Sequence, residues 1–218
     1  MKLTTQQIAK IDETLVYCGI IYDDIKLELI DHIASEVEVE MQTNQTTFSE
    51  AFNNVFDRWK IDFKRTRAFF SLNTFYPKIA RNKFSNQVKL ELISIIAISS
   101  LLFISFQLLP NSASRLNFVF WIKKMFFYSY FVAVILMLAL KFLNKKTTIS
   151  STYKHMFDAR FPAIIVWLSI ALNDILPNDI TNQNLFVLTI GLFFMYLFST
   201  IYLGFKHFQF QRKFLIRL

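Results

Sequence analysis

Residues 90–109 read LELISIIAISSLLFISFQLL, and this stretch decides the fold class. After Glu91 it carries no charge, only the hydroxyls of Ser94, Ser99, Ser100 and Ser105 and the amide of Gln107. A helix of about 20 such residues rises ~30 Å, the thickness of a bilayer's hydrocarbon core. Pro110-Asn111-Ser112 ends the run. Downstream the pattern recurs over 125–143, 161–176 and 185–205. Lys123 and Lys124 mark the edge of the second run, because each would cost ~3 kcal/mol at the bilayer centre. Phe118, Phe120 and Trp121 beside them suit the interface. The third run is short, with Pro162 in its first turn, where a missing N–H is tolerated, and with Asn173 and Asp174 near its end. The fourth contains Gly191 and Gly204, both acceptable in a spanning helix. The expectation is a four-helix transmembrane bundle over 90–205 and a basic tail over 206–218. In that tail Lys206, Arg212, Lys213 and Arg217 alternate with Phe208, Phe210, Phe214, Leu215 and Ile216, as in an interfacial anchor.

Composition agrees. Apolar residues make up 54% and charged residues 18%, against roughly 45–50% and 25% in soluble domains. The acids are concentrated before Phe63; beyond it stand only Glu91, Asp158, Asp174 and Asp179. The net charge of +8 comes from bases flanking apolar runs, which points to anionic headgroups, each base contributing about 1 kcal/mol near the surface. A nucleic-acid partner is not expected, since no basic recognition face stands apart from the apolar runs. Cys18 is the single cysteine, so no intrachain disulfide can form. Met1 to Lys10 lacks the apolar core of a cleavable signal peptide.

The first 64 residues read as a small soluble domain of three helices. Thr4 and Gln7 form a capping box, Ile8, Ile11, Leu15 and Cys18 give a stripe at helical spacing, and Gly19 is a C′ stop. A second helix starts at Asp23 or Asp24, whose carboxylates suit exposed N–H groups. Its stripe is Ile25, Leu29, Ile33, Val37 and Met41. A third starts at Thr47 with Glu50 completing a capping box; Phe48, Phe52, Val55, Phe56, Trp59 and Phe63 line it. None can hide its apolar face alone, so the three are expected to pack together. Residues 65–89, with Arg65, Arg67, Lys78, Arg81 and Lys83 among aromatic side chains, read as a basic amphipathic juxtamembrane connector.

Topology follows from the bases. The loop after the second run carries Lys141, Lys145, Lys146, Lys154 and Arg160, and the tail is basic; the loop after the first carries Arg115, with Lys123 and Lys124 at its far edge, and the loop after the third, 177–184, has no base. The positive-inside rule places both termini in the cytoplasm of a bacterial inner membrane, which requires an even number of crossings. No internal repeat supports an inverted-repeat transporter.

Chemistry-bearing patterns are sparse. Glu28, His32 and Glu36 fall at i, i+4 and i+8 of the second helix, with Asp31 and Glu38 nearby. Such a row can hold a metal or tune a histidine, but a solvated helix face gives the same row, and no second histidine lies at metal spacing. The expectation is an acidic surface for a protein partner, with no metal and no cofactor. There is no HExxH, no CxxC and no glycine-rich phosphate loop, so the chain reads as a non-enzyme. Ser99, Gln107, Asn173 and Asp174 are the candidate intramembrane polar residues; they could line a path, though hydroxyls also serve helix packing. His155 and Asp158, three apart beside the interface, are the best pair available to a lipid-acting enzyme.

Leu3-Thr4, Gln7-Ile8, Gly19 with Tyr22, Glu28-Leu29-Ile30-Asp31-His32, Glu36 and Glu38, and Phe48 with Glu50-Ala51 together resemble the small helical domains of the HAAS-like and permease-prefix families. The resemblance covers the first ~65 residues and implies a cytoplasmic interaction or signalling module ahead of transmembrane segments, often in systems with a PadR-like repressor. It implies a domain order and no reaction. The resulting expectation is a non-enzymatic integral inner-membrane protein whose cytoplasmic domain binds a protein partner or a second copy in signalling, regulation or assembly. A small permease or transporter subunit is the alternative, and a membrane-embedded lipid enzyme the third.

Overall fold

The computed structural model describes residues 2–67, 75–145, 148–172 and 183–217. Among these the chain is helical apart from one short ribbon. It divides into two compact units: Met1–Asn86 with Ile149–Thr152, and Gln87–Thr148 with Tyr153–Leu218.

In the first unit, α1 (Thr5–Tyr17) opens on the Thr4/Gln7 capping box. Gln7 N–H donates to the Thr4 hydroxyl at 3.3 Å and Thr4 N–H to the Gln7 amide oxygen at 2.8 Å. It closes at Gly19 (φ +86°). The N–H of Ile20 returns to the Leu15 carbonyl at 3.0 Å and that of Gly19 to Val16 at 2.9 Å, the paired bonds of a Schellman motif. Helix α2 (Asp23–Asn44) places Asp23 and Asp24 in its first turn and ends on Gln45 in the left-handed region. Helix α3 (Phe48–Phe63) opens on the Thr47/Glu50 capping box. The expected stripes meet: Ile11 and Leu15 of α1, Ile25, Leu29, Ile33 and Val37 of α2, and Ala51, Phe52, Val55, Phe56 and Phe63 of α3 are all buried in one core.

Within 65–89, β1 (Arg65–Arg67) and β2 (Phe75–Pro77) pair antiparallel with Thr66 opposite Tyr76. Lys78 then begins α4 (Lys78–Gln107). Tyr76 and Phe84 close over Tyr22, with ring centroids 6.5 and 5.6 Å from it, so this stretch adds to the core of the first unit.

The second unit holds the rest of α4, then α5 (Ser112–Lys145), α6 (Thr152–Leu172, of which Thr152 belongs to the first unit) and α7 (Gln183–Arg217). Among the described residues three helices are long and apolar enough to cross a membrane: Lys78–Gln107, Ser112–Asn144 and Gln183–Phe214. The expected third run begins inside α6, and its last residues lie outside the described ones. Between α5 and α7, Phe126, Tyr130, Ala133 and Met137 bury against an interior that includes Phe186, Val187, Ile190, Phe193 and Leu197; the Phe126 ring sits 5.9 Å from Phe193 and 5.4 Å from Phe194. Two glycines allow close approach. A Cβ on Gly191 would lie 2.8–3.1 Å from Ser99, and one on Gly204 would lie 2.9 Å from Phe157. The outward positions stay apolar: Leu90, Ile93, Ile96 and Leu101 of α4 and Ile135, Leu138 and Phe142 of α5 are exposed. An apolar exterior on this scale suits lipid rather than water.

Candidate functional site

The acidic row of α2 is partly engaged within the first unit. Glu28 pairs with Lys83 at 3.2 Å. Glu36 accepts from the Trp59 indole at 3.3 Å and lies 3.6 Å from Arg58. Glu38 accepts the backbone N–H of Leu3 at 2.9 Å. Asp31 and His32 are exposed. Among the described residues no group of three or more His, Cys, Asp or Glu side chains could hold a metal ion. Beyond the row, Glu40 is held below the ordinary carboxylate range, first by the Asn54 amide, with Asn44 and Arg58 adding to it. The same unit leaves Tyr17, Ile21 and Ile61 exposed.

The densest polar constellation of this unit lies at the start of α2. Asp23 and residue 150 form a reciprocal pair: the Asp23 N–H donates to the Ser150 carbonyl at 2.9 Å, and the Ser150 N–H to the Asp23 carboxylate at 2.7 Å. Asp24, only 8% exposed, accepts twice from Thr152, from its N–H at 2.9 Å and its hydroxyl at 2.5 Å. Thr152 is the first residue of α6, so Asp24 supplies an acceptor for one of the N–H groups that a helix start leaves without an intrahelical partner. Two helix N-termini thus face the same pair of carboxylates, an arrangement that partial positive charge at both ends favours. Lys83 balances the acids, 3.4 Å from Asp24 and 3.2 Å from Glu28. Lys26 adds a second cation, 3.5 Å from Asp23 and 3.1 Å from Asp12. Ile149, Ser151 and Thr152 are all buried by this clasp. The first-turn acids were legible in sequence; their partners, more than a hundred residues away, were not.

In the second unit, Ser99 is buried against Gly191 and its hydroxyl has no partner among the described residues. Gln107 donates to the Asn184 side chain at 2.8 Å. Asn173 and Asp174 lie outside the described residues. The charge inside this unit comes from residues that sequence reading assigned to a run's edge and to a loop. The Arg160 guanidinium of α6 meets Glu91 of α4 at 2.5 Å and donates to Ser199 of α7 at 2.8 Å. Gln87 donates to the other Glu91 oxygen at 3.2 Å, and the Tyr196 hydroxyl donates to the Arg160 carbonyl at 3.3 Å. The Glu91 and Arg160 side chains are 11% and 17% exposed, so one ion pair ties three helices together in a largely buried place. A second buried polar group joins α5 to α7. Asn144 donates to the Gly204 carbonyl at 3.4 Å, and the Gln211 amide lies 2.6 Å from the His207 ring. His155 and Asp158 are both exposed on α6.

No family model, curated protein or solved structure matches the chain.

Proposed function

We propose that the chain is a non-enzymatic integral membrane protein of a bacterial inner membrane, in which a cytoplasmic helical unit binds a protein partner and passes that state to the apolar helices. The observation that carries this reading is the clasp. Asp23 holds residue 150, in the connection between α5 and α6, and Asp24 holds Thr152, the first residue of α6. Whatever docks on the first unit therefore has a direct mechanical handle on the loop joining two apolar helices. The exposed Asp31, His32, Tyr17 and Ile21 offer a mixed acidic and apolar surface for such a partner. The acids favour a basic partner.

The clasp also bears on topology. Residues 149–152 lie on the same side of a bilayer as α2, so the chain between them crosses an even number of times, which α4 and α5 satisfy. The bases Lys145, Lys146 and Lys154, close in sequence to residues 149–152, make that side the cytoplasm under the positive-inside rule. The test is photocrosslinking from position 32 of the full-length chain in cells. A discrete adduct whose yield changes when Asp24→Asn loosens the clasp is expected. No adduct, or one indifferent to the clasp, would remove the relay reading.

A transport role has one observation in its favour, the buried Glu91–Arg160 pair, because intramembrane charge commonly marks a substrate or ion path. Solute or proton flux into liposomes carrying the purified chain, abolished by Glu91→Gln, would establish transport in place of relay.

A further inference from the structure

At the start of α5 the second unit carries a cleft of about 310 Å³ between the end of α4, the start of α5 and the first described turn of α7. This is the lower end of the range for small-molecule sites. Among its described lining residues Arg115 is the only charged one, and no acid lines it. The Arg115 Nε is buried and has no hydrogen-bond partner among the described residues. Its Nη2 makes one long contact to the Gln107 carbonyl at 3.4 Å, and the guanidinium lies 5.6 Å over the Phe106 ring. Gln183 lines the same cleft and is 8% exposed. The oxygens of Asn184 and Asn111 are already taken, by Gln107 at 2.8 Å and by the Ser114 N–H at 2.8 Å. Their amide nitrogens remain as donors. Phe106 and Leu116 supply an apolar wall.

The cleft thus presents one positive charge, a surplus of donors and an apolar side. That chemistry matches a singly charged oxyanion attached to an apolar body. Its position at the ends of apolar helices is the depth of lipid headgroups. We propose that this cleft binds a phosphodiester monoanion, held by Arg115 and the amides of Gln183 and Asn184, with its source the headgroup of a glycerophospholipid. A guanidinium Nε–Nη edge is shaped for two oxygens of such a group, and Nε has no other partner among the described residues.

The test uses the full-length protein in non-ionic detergent, with binding read by native mass spectrometry and by the shift in unfolding temperature. Three probes are titrated: short-chain phosphatidylglycerol, its acyl-free headgroup glycerophosphoglycerol, and the matching uncharged diacylglycerol. Phosphatidylglycerol is expected to bind and stabilise. Arg115→Gln is expected to weaken it about tenfold or more, the loss that accompanies removal of a charge-assisted hydrogen bond. Asn184→Asp keeps the acceptor for Gln107 while adding a like charge to the cleft. It is expected to weaken binding even if Arg115→Gln fails to fold. Equal binding of the acyl-free headgroup would support the cleft's chemistry and move its source to a soluble phosphodiester. Equal binding of diacylglycerol, no binding of either phosphodiester, or affinity unchanged in both variants would overturn the proposal.

Discussion

Single residues set the ends of the helices and the closest approaches between them. Thr47 accepts the Glu50 N–H while the Glu50 carboxylate accepts the Thr47 N–H at 3.0 Å. Thr47→Ala is expected to lower unfolding free energy by about 1 kcal/mol, the usual loss for a threonine N-cap, as read by denaturant titration in detergent. The Thr47 backbone N–H, with its hydroxyl, holds the Glu50 carboxyl below the ordinary carboxylate range. A depressed folded value means that the contribution is present above the unfolded carboxylate value and fades as pH falls through the folded one. The wild-type advantage over Glu50→Gln should therefore shrink on acidification and vanish in strong acid. Gly191 is a different case: an added Cβ would lie 3.0 Å from the Ser99 backbone as well as 2.8 Å from its hydroxyl. Gly191→Ala is expected to destabilise by about 1–3 kcal/mol, as overpacking does. Adding Ser99→Gly should recover part of the loss by removing the side-chain clash. Both capping boxes and the Gly19 stop were legible in sequence, because each depends on residues within a few positions of one another. The Gly191–Ser99 contact was not, because a spanning helix tolerates glycine anywhere and the sequence does not say which helix comes close.

At the scale of elements, local signals and long-range partners separate clearly. The stripes of α1, α2 and α3 were readable because periodicity announces which face must be covered. The ribbon of Arg65–Arg67 with Phe75–Pro77 was not: strands of three residues carrying two arginines have neither length nor alternation to announce them. Arg160 looked like a loop base and Glu91 like the edge of a run. Their meeting across 69 positions depends on how α4, α6 and α7 pack, which no local pattern encodes. Two readings of that pair make different predictions. If it pins three helices, Arg160→Met leaves Glu91 buried without its cation and is expected to destabilise by about 3–5 kcal/mol. The double replacement Glu91→Leu with Arg160→Met should restore most of that stability, since a well-packed apolar pair replaces a buried ion pair at little net loss. Thermal unfolding of the wild type and both variants in one detergent decides it. Recovery in the double variant marks a structural tie, whereas a double variant that folds but loses flux marks a transport site.

For the whole molecule, the asymmetry of charge and the clasp bear on the same question, which side of the bilayer each connection occupies. Acids gather before residue 63 and bases bracket the apolar runs. This is the distribution expected when a soluble unit remains in the cytoplasm and the helices insert under the positive-inside rule. The clasp adds a constraint independent of charge, since Asp24 can hold Thr152 only if both occupy one aqueous compartment. On the proposed topology the turn between α4 and α5 belongs to the opposite compartment. Single cysteines placed in a Cys18→Ala background test this directly. Ala113 and Thr148 are both exposed, one at the start of α5 and the other just past its end. In intact cells a membrane-impermeant maleimide is expected to label Ala113→Cys and to spare Thr148→Cys, with both labelled after permeabilisation. Labelling of both before permeabilisation would mean that α5 does not cross. The reverse pattern would place the first unit outside the cytoplasm, and the proposed relay to a cytoplasmic partner would fall with it.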